Sequence, residues 1–248
     1  MPDQPPSGSP ELSAVVPVYD EAEALPPLAA ELESALRATG RPWEIVLVDD
    51  GSRDGTADWI ADAARTRPGY VAVLLERNAG QSAALAAGFA AARGAIVVTL
   101  DADGQNDPAD IPRLLEALRD ADVVSGIRRK RADSFVRRAS SRLANGTRRL
   151  VLGDRVTDIG CSMKAYRREA LDSLPLFVGM HRFLPALCAF RGARLVEIPV
   201  AHRPRALGRS KYGVGNRLFR GLRDLFGVAW LRSRLLRHRV REVIRHVD

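Results

Sequence analysis

The sequence lacks several residues and patterns that mark specialised classes of protein. Its 248 residues include only Cys161 and Cys188 as cysteines, which is too few for a disulfide framework or a thiolate zinc site. We therefore expect a reducing compartment and two small core thiols. No apolar run reaches the roughly 18 residues of a transmembrane helix. Neither G-x-G-x-x-G after the first apolar run nor G-x-x-x-x-G-K-[ST] occurs, which argues against dinucleotide dehydrogenases and P-loop NTPases.

Positive charge is abundant and unevenly placed. The net charge is +8, and only three residues are lysine: Lys130, Lys164 and Lys211. Arginines dominate residues 128–149 and 203–245, whereas the first 120 residues hold most of the acids. This asymmetry fits either a solvated arginine-rich surface or a basic half that faces a polyanion, such as nucleic acid, phosphates or an anionic membrane. Residues 1–11 are polar and proline-rich, and we expect a disordered leader there.

Short apolar runs alternate with helical patterns up to residue 126. We predict strands at 13–19, 44–50, 71–76, 95–103 and 122–126, and helices at 20–39, 54–67, 81–93 and 109–120. Asp20 and Asp54 are the predicted N-caps of the first two helices. Because the strands are continuously apolar, the pattern predicts an α/β fold with an open, mostly parallel sheet buried on both faces.

The pattern changes after residue 130. We predict a basic helix at 134–151, a turn and a helix start at 157–171, and an apolar helix at 181–192 that contains Pro185. A strand at 195–205 leads to a loop at 206–213. One amphipathic helix is predicted at 214–236, with Leu218, Leu222, Leu225, Phe226, Ala229 and Trp230 on one stripe.

Polar clusters follow one predicted strand after another. They are Tyr19-Asp20-Glu21, Asp49-Asp50-Gly51-Ser52, Arg77-Asn78-Ala79-Gly80, Asp101-Ala102-Asp103 and Gly126-Ile127-Arg128. The carboxyl ends of parallel strands meet at one edge of a sheet, where ligands of open α/β sheets bind. We therefore predict one functional site built from these five clusters.

The cluster LDADGQNDP (100–108) predicts a metal site. Asp101 and Asp103 repel each other unless a cation lies between them, and oxygen ligands at a strand end suit Mg²⁺ or Mn²⁺. Gln105 adds an amide oxygen to this set. An EF-hand loop is excluded, because its required Gly and Glu positions hold Asn106 and Pro112. Asp107, followed by Pro108, is predicted to cap a helix instead.

Taken together, seven motifs resemble a known family. PVYDE (17–21), DDGSRDGT (49–56), NAGQSAALAAGF (78–89), DADGQNDP (101–108), SGIR (125–128), TDIGCSMKAYRRE (157–169) and GRSKY (208–212) occur in this order. They resemble family 2 glycosyltransferases of the GT-A fold, specifically the dolichyl-phosphate mannose synthase type, over roughly residues 12 to 215. Those enzymes move a sugar from a nucleotide sugar to a polyprenyl phosphate. The resemblance implies a GT-A domain at 12–213 and a basic helical tail at 214–248.

The resemblance also implies a role for each matched position. Nucleoside contacts are implied for Pro17, Tyr19, Glu21 and Asp50. Asp101 and Asp103 would be the DxD pair that, with Gln105, holds Mg²⁺ or Mn²⁺ on the donor diphosphate. Arg128 would lie at the donor phosphates, Asp158 at the reaction centre, and Arg205 and Lys211 on a loop over the leaving diphosphate. The acceptor phosphate would contact Arg137, Arg138 and Ser141.

The chemistry of such an acceptor agrees with these residue types. A phosphate monoester has a second pKa of about 6 and is already an anionic nucleophile at neutral pH, so the site needs positive charge more than a strong base. We expect an inverting hexosyltransferase with GDP-mannose or a UDP-hexose as donor, and Asp158 as an orienting group. The histidines His181, His202, His238 and His246 show no metal spacing.

The tail suggests where the protein works. Its arginines, beside an apolar stripe with Phe and Trp, suit a helix in a membrane interface, although a terminal helix packed on the core has the same pattern. We expect a peripheral protein on the cytoplasmic, inner face of the cell membrane, bound to an anionic surface, with an integral membrane protein as a further candidate partner.

Two other functions remain open at this point. The first is a family 2 transferase with another acceptor, such as a cell-envelope glycan, although the Q-x-x-R-W motif of processive members is absent. The second is a non-catalytic basic protein that binds nucleic acid or membranes. That reading leaves the acids at the strand ends without a role, so we expect no nucleic-acid partner.

Overall fold

The computed structural model describes residues 9–128, 152–153, 156–172, 174–204 and 215–234, and gives only the backbone for 215–222. The strands of this part are β1 (Leu12–Val18), β2 (Trp43–Asp49), β3 (Tyr70–Leu74), β4 (Ile96–Thr99), β5 (Val123–Arg128), β6 (Lys164–Arg167) and β7 (Leu195–Val200). The helices are α1 (Leu25–Arg37), α2 (Thr56–Thr66), α3 (Gln81–Ala91), α4 (Ile111–Ala117), α5 (Arg168–Leu171), α6 (Leu184–Phe190) and α7 (Gly215–Arg234). Short 3₁₀ turns lie at Pro108–Asp110, Leu118–Asp120 and Met180–Arg182.

All seven strands form one sheet in the order β3-β2-β1-β4-β6-β5-β7. Every neighbouring pair is parallel except those of β6, which runs antiparallel to β4 and β5. The predicted mostly parallel α/β sheet is therefore confirmed. The prediction for 157–171 missed β6, whose Tyr166 pairs with Val97 on one side and Val123 on the other.

The helices cover both faces of the sheet, which is why its strands read as continuous apolar runs. One core cluster joins α1 and α4 to strands β1 and β2, and the other joins α3, α6 and α7 to the opposite face. Helix α3 approaches β1 and β2 closely at Gly88, where an added Cβ would collide with the side chains of Val15 and Val48. This close packing fixes the start of α3 at the carboxyl edge of the sheet.

Two predicted helix starts and the predicted cap at Asp54 were wrong. The N-cap of α2 is Gly55, and Asp54 precedes it and accepts from Thr56 N at 3.2 Å. Helix α1 begins at Leu25, and Asp20 lies in a loop with a positive φ of 47°. Its carboxylate accepts a hydrogen bond from the backbone N–H of Arg53 at 2.7 Å, so it serves a neighbouring loop and not a cap. Helix α6 begins at Leu184, with Pro185 in its first turn, where a missing N–H costs nothing. The predicted cap at Asp107 is present, since its side chain accepts from Ala109 N at 3.0 Å.

Helix α7 lies within the predicted range 214–236, but its apolar residues divide between two faces. Leu225 and Val228 are buried in the core, whereas Phe226 and Trp230 are exposed. Of the predicted stripe, Leu225 and Ala229 therefore pack on the body, whereas Phe226 and Trp230 do not. Among the described residues, we find no helix with the length and apolar character needed to cross a bilayer.

Candidate active site

The loops after β1 and β2 are joined to each other by side-chain to backbone hydrogen bonds. Ser52 accepts from the N–H of Asp20 at 2.8 Å, and Thr56 accepts from the N–H of Glu21 at 3.0 Å. Together with the bond from Arg53 N to Asp20, these contacts hold both loops at one edge of the sheet. This edge therefore presents a fixed rim.

The predicted nucleoside residues lie along this rim. Pro17 near the end of β1, with Tyr19 and Glu21 in the following loop, is partly exposed. Asp50 is buried, and its carboxylate accepts from the N–H groups of Ala79, at 2.7 Å, and Gly80. Burial raises the pKa of Asp50 in spite of these bonds. The four residues share one edge, and their contact with a nucleoside remains a prediction.

Asp49 has a local structural role. Its carboxylate accepts from the N–H groups of Gly51 and Ser52 and so closes the turn after β2. Gly51 itself has a φ of +70°, and an added Cβ would lie 2.5 Å from the backbone of Arg77. The turn therefore requires both Asp49 and a glycine.

The Asp101–Asp103 pair lies just past β4. Asp101 accepts a hydrogen bond from Gln81 Nε2, on the first turn of α3, at 2.7 Å. Burial and the charge of Asp103 raise the pKa of Asp101, while a hydrogen bond from Ser162 acts against them. An ionised carboxylate is thus disfavoured here unless a cation joins it.

The donor atoms of this cluster fit a hard divalent cation. Gln105 donates its Nε2 to the carbonyl of Arg203 at 3.3 Å, which leaves its amide oxygen available as a ligand atom, and its role as a metal ligand stays a prediction. Within the described ranges, no group of three or more His, Cys, Asp and Glu side chains is arranged to hold a metal. Two carboxylates suffice where phosphate oxygens of a substrate complete the coordination, as is usual for Mg²⁺.

Arg128 and Asp158 form a bidentate ion pair. Arg128 donates from Nε and Nη2 to the two carboxylate oxygens, each at 2.8 Å, and from its backbone N–H at 3.2 Å. Burial alone would raise the pKa of Asp158, but the hydrogen bonds and charge of Arg128 outweigh it and lower that pKa. The Asp158 hydrogen bond is the main cause of the raised pKa of Arg128. Asp158 is therefore an ionised carboxylate held in place by Arg128, and its role as an orienting group stays a prediction.

Lys164 is a site residue to which the sequence analysis gave no role. It is buried on β6, where it pairs with Thr99 and Ser125. Burial lowers the pKa of its ammonium group, and the charges of Asp101 and Asp158 act in the opposite direction. Lys164 thus supplies positive charge among the acids. The signal in the sequence was a lone lysine within the motif TDIGCSMKAYRRE.

A second missed contact joins α3 to the turn before α6. Ser82 Oγ lies 2.8 Å from His181 Nδ1 and accepts from the N–H of Gly179 at 2.9 Å. Burial, with the charges of Arg182 and Lys164, lowers the pKa of His181 to about 4. His181 is therefore neutral at pH 7 and has a structural role. It contacts Ser82, and the residue before Ser82, Gln81, hydrogen-bonds Asp101.

Several predicted residues lie outside the part of the chain that the structure describes. These are Arg137, Arg138, Ser141, Arg205 and Lys211. Their roles at the acceptor phosphate and the leaving diphosphate stay predictions. The described range 174–204 nevertheless ends next to the site. Arg203 donates its N–H to the carbonyl of Gln105 and accepts from Gln105 Nε2 with its own carbonyl.

Comparisons with known proteins agree with this geometry. Among solved structures, glucosyl-3-phosphoglycerate synthase from Mycobacterium tuberculosis, in complex with Mn²⁺, UDP and phosphoglyceric acid, superposes with a TM-score of 0.65 and 22% identity. The match covers 92% of this chain and 80% of that one. Similarity at this level establishes the fold, and the predicted GT-A fold is confirmed.

Two curated relatives are closer in sequence. Undecaprenyl-phosphate 4-deoxy-4-formamido-L-arabinose transferase is 42% identical in Aeromonas hydrophila and 47% identical in Pseudomonas paraeruginosa. The matches cover 82% and 81% of this chain but only 63% and 60% of those proteins, so the chain spans somewhat less than two thirds of their length. The family model for glycosyl transferase family 2 matches residues 13–174. The chain belongs to glycosyl transferase family 2.

Proposed function

We propose that the chain transfers a sugar from a nucleotide sugar to a polyprenyl phosphate, with inversion at the anomeric carbon. The observation that carries the proposal is the Asp101–Asp103 pair at the carboxyl end of β4. Two adjacent carboxylates repel each other there, and a bound cation would stabilise their ionised forms. The names of the curated relatives, which are undecaprenyl-phosphate transferases, support the acceptor.

The reaction is a displacement at the anomeric carbon. A phosphate oxygen of the acceptor forms the new bond to C1, and the bond from C1 to the donor diphosphate breaks. The acceptor is anionic at neutral pH, with a second pKa of about 6, so no group of the protein must remove a proton from it. Asp158, ionised and fixed by Arg128, suits the orientation of the sugar better than proton transfer.

Asp101, Asp103 and the amide oxygen of Gln105 would hold Mg²⁺ or Mn²⁺. The ion would neutralise the diphosphate as it leaves. Arg128 would bind the donor phosphates from the side of β5, and Lys164 adds a buried positive charge nearby. A solved structure with the same fold holds Mn²⁺ and UDP.

The remaining roles follow the family resemblance. Pro17, Tyr19, Glu21 and Asp50 would contact the nucleoside, and Arg205 and Lys211 would close over the leaving diphosphate. The acceptor phosphate would be held by a basic segment that contains Arg137, Arg138 and Ser141. Three positive or hydroxyl side chains there would offset the repulsion between the two anionic substrates.

The donor sugar and the location are narrower proposals. The names of the relatives make a nucleotide-linked 4-deoxy-4-formamido-L-arabinose the first donor to test, beside GDP-mannose and UDP-glucose. Because polyprenyl phosphates lie in membranes, we place the protein on the inner face of the cell membrane, bound to the anionic surface. A membrane protein partner is compatible with this placement.

The test is a transfer assay with the full chain. Labelled donors are offered with undecaprenyl phosphate and Mg²⁺ or Mn²⁺, and label is counted in the organic phase. We expect label there that disappears with EDTA and falls by at least roughly a hundredfold in Asp101→Asn and Asp103→Asn. The matched control is Asp107→Asn on the same loop, because asparagine preserves the helix cap and transfer should persist. Nucleotide binding without organic label for any donor would contradict the proposed acceptor.

A further inference from the structure

Four of the large apolar side chains that the structure leaves exposed lie on two neighbouring segments. Among residues with described side chains, the exposed large hydrophobics are Leu74, Leu176, Val178, Phe226 and Trp230. Val178 is 82% exposed, and Phe226 and Trp230 are each 64% exposed. Leu74, at the end of β3, is the one that lies elsewhere. Clustered exposure of this kind marks an interaction surface.

The segment around Val178 lies against α7. An added Cβ on Gly179 would lie 2.7 Å from Asp224 Oδ2, and Arg182 Nη1 lies 3.8 Å from the same oxygen. Phe177, between the exposed Leu176 and Val178, packs into the core cluster that also holds Leu225 and Val228 of α7. The two segments therefore present their exposed side chains from one packed unit.

Helix α7 shows how its exposed side is built. Leu225 and Val228 are buried, while Phe226 and Trp230 point outward between the exposed arginines Arg223 and Arg234. Aromatic rings flanked by arginines suit the boundary between lipid headgroups and acyl chains. Over Gly215–Arg234 the helix has five arginines and one aspartate, and that aspartate, Asp224, lies 3.8 Å from Arg182 and 4.0 Å from Arg223.

We propose that Leu176, Val178, Phe226 and Trp230, with Arg223 and Arg234, form a docking face for an anionic lipid surface. The positive charge of α7 complements anionic headgroups, and the aromatic and aliphatic side chains enter the interface beneath them. The inference deepens the proposed function and rests on it, because a polyprenyl phosphate is presented at such a surface.

A short chain of contacts links the docking face to the candidate active site. Gly179, directly after Val178, donates its N–H to Ser82 Oγ at 2.9 Å. The preceding residue, Gln81, donates to Asp101 at 2.7 Å. The proposed lipid-facing segment is thus bonded to the same turn of α3 that also bonds Asp101, a proposed metal ligand.

The experiment is co-sedimentation of the full chain with vesicles, without donor or acceptor. Vesicles of phosphatidylcholine alone are compared with vesicles that also contain phosphatidylglycerol. We expect binding to the anionic vesicles that is at least roughly tenfold weaker in Phe226→Ser/Trp230→Ser and in Leu176→Ser/Val178→Ser. Arg223→Gln and Arg234→Gln should each weaken it about fivefold. Leu74→Ser is the matched control and should bind like the wild type.

Other outcomes decide between the docking face and its alternatives. Wild-type binding by both double variants, or equal binding to neutral and anionic vesicles, would overturn the inference. So would a dimer in analytical ultracentrifugation that Phe226→Ser/Trp230→Ser dissociates, since a second copy would then cover the face.

Transfer to a short-chain, detergent-soluble prenyl phosphate separates the docking face from the proposed function. The variants should retain that transfer, whereas vesicle binding without any transfer would refute the proposed function alone.

Discussion

Removal of either partner of the Arg128–Asp158 ion pair is expected to destabilise the protein markedly. The side chains are 34% and 17% exposed, so the loss lies below that of a fully buried pair, where an uncompensated charge costs about 3–5 kcal/mol. We expect Arg128→Met and Asp158→Asn each to cost roughly 2–3 kcal/mol in the free energy of unfolding, since two charge-assisted hydrogen bonds are lost. The double variant should cost less than the sum, with a coupling energy of about 1.5–3 kcal/mol.

Urea unfolding of the wild type and three variants at pH 7 measures this cycle. Because the pKa of Asp158 is lowered from its ordinary value of 3.8, the stabilisation is complete above that value and is lost as the pH falls through the folded-state pKa. The difference between wild type and Asp158→Asn should therefore shrink in strong acid. Single-variant costs that add within about 0.5 kcal/mol would refute the coupling.

Three further predictions follow from buried groups of the same site and its supporting helices. The pKa of His181 is about 4 in the folded protein, against 6.5 ordinarily. Between these two pH values, His181 therefore binds a proton only in the unfolded chain. Stability should thus fall by up to about 3 kcal/mol from pH 6.5 to 4, and thermal unfolding of His181→Asn should not show this fall. Asp101→Asn should raise the melting temperature of the metal-free protein, because the ionised carboxylate is disfavoured there, and calorimetry should find weaker Mn²⁺ binding with UDP. Gly88→Ala should cost about 1–3 kcal/mol through its clash with Val15, whereas Gly227→Ala, with open space around it, should stabilise by up to about 1 kcal/mol; equal effects in urea unfolding would contradict the packing argument.

The parts of the fold that depend on local pattern could be predicted from the sequence. Strands β1 to β5 overlap the predicted apolar runs, although β3 is mostly half-buried, and the polar clusters that follow them mark one edge of a parallel sheet. The cap at Asp107 was also predictable, because Asp followed by Pro is a strong local signal. These features gave the fold and the position of the candidate site.

Other features depend on contacts between distant residues. Strand β6 has four residues, and its place between β4 and β5 comes from pairing with residues at least 39 positions away. Asp20 has the composition of a cap, but its carboxylate bonds to the loop after β2. The division of α7 into a packed and an exposed side likewise depends on which residues meet the core.

The two site residues that could not be predicted from the sequence, Lys164 and His181, also depend on contacts between distant residues. Lys164 and His181 carry no spacing pattern, and their roles follow from burial beside Asp101 and Ser82. A single lysine in a strand gives no such information until its neighbours across the sheet are known. The local pattern of Asp101, Asp103 and Gln105 indicated the metal ligands and the family resemblance agreed with it, whereas the supporting charges could be found only in the structure.

The central claim is that a phosphate oxygen of a polyprenyl phosphate becomes bonded to the anomeric carbon of the sugar. Its most direct test is the mass spectrum of the lipid product formed by the full chain from undecaprenyl phosphate and the accepted donor. The account predicts a product with one phosphate between lipid and sugar, together with a nucleoside diphosphate. A product with a lipid-linked diphosphate and release of a nucleoside monophosphate would contradict it.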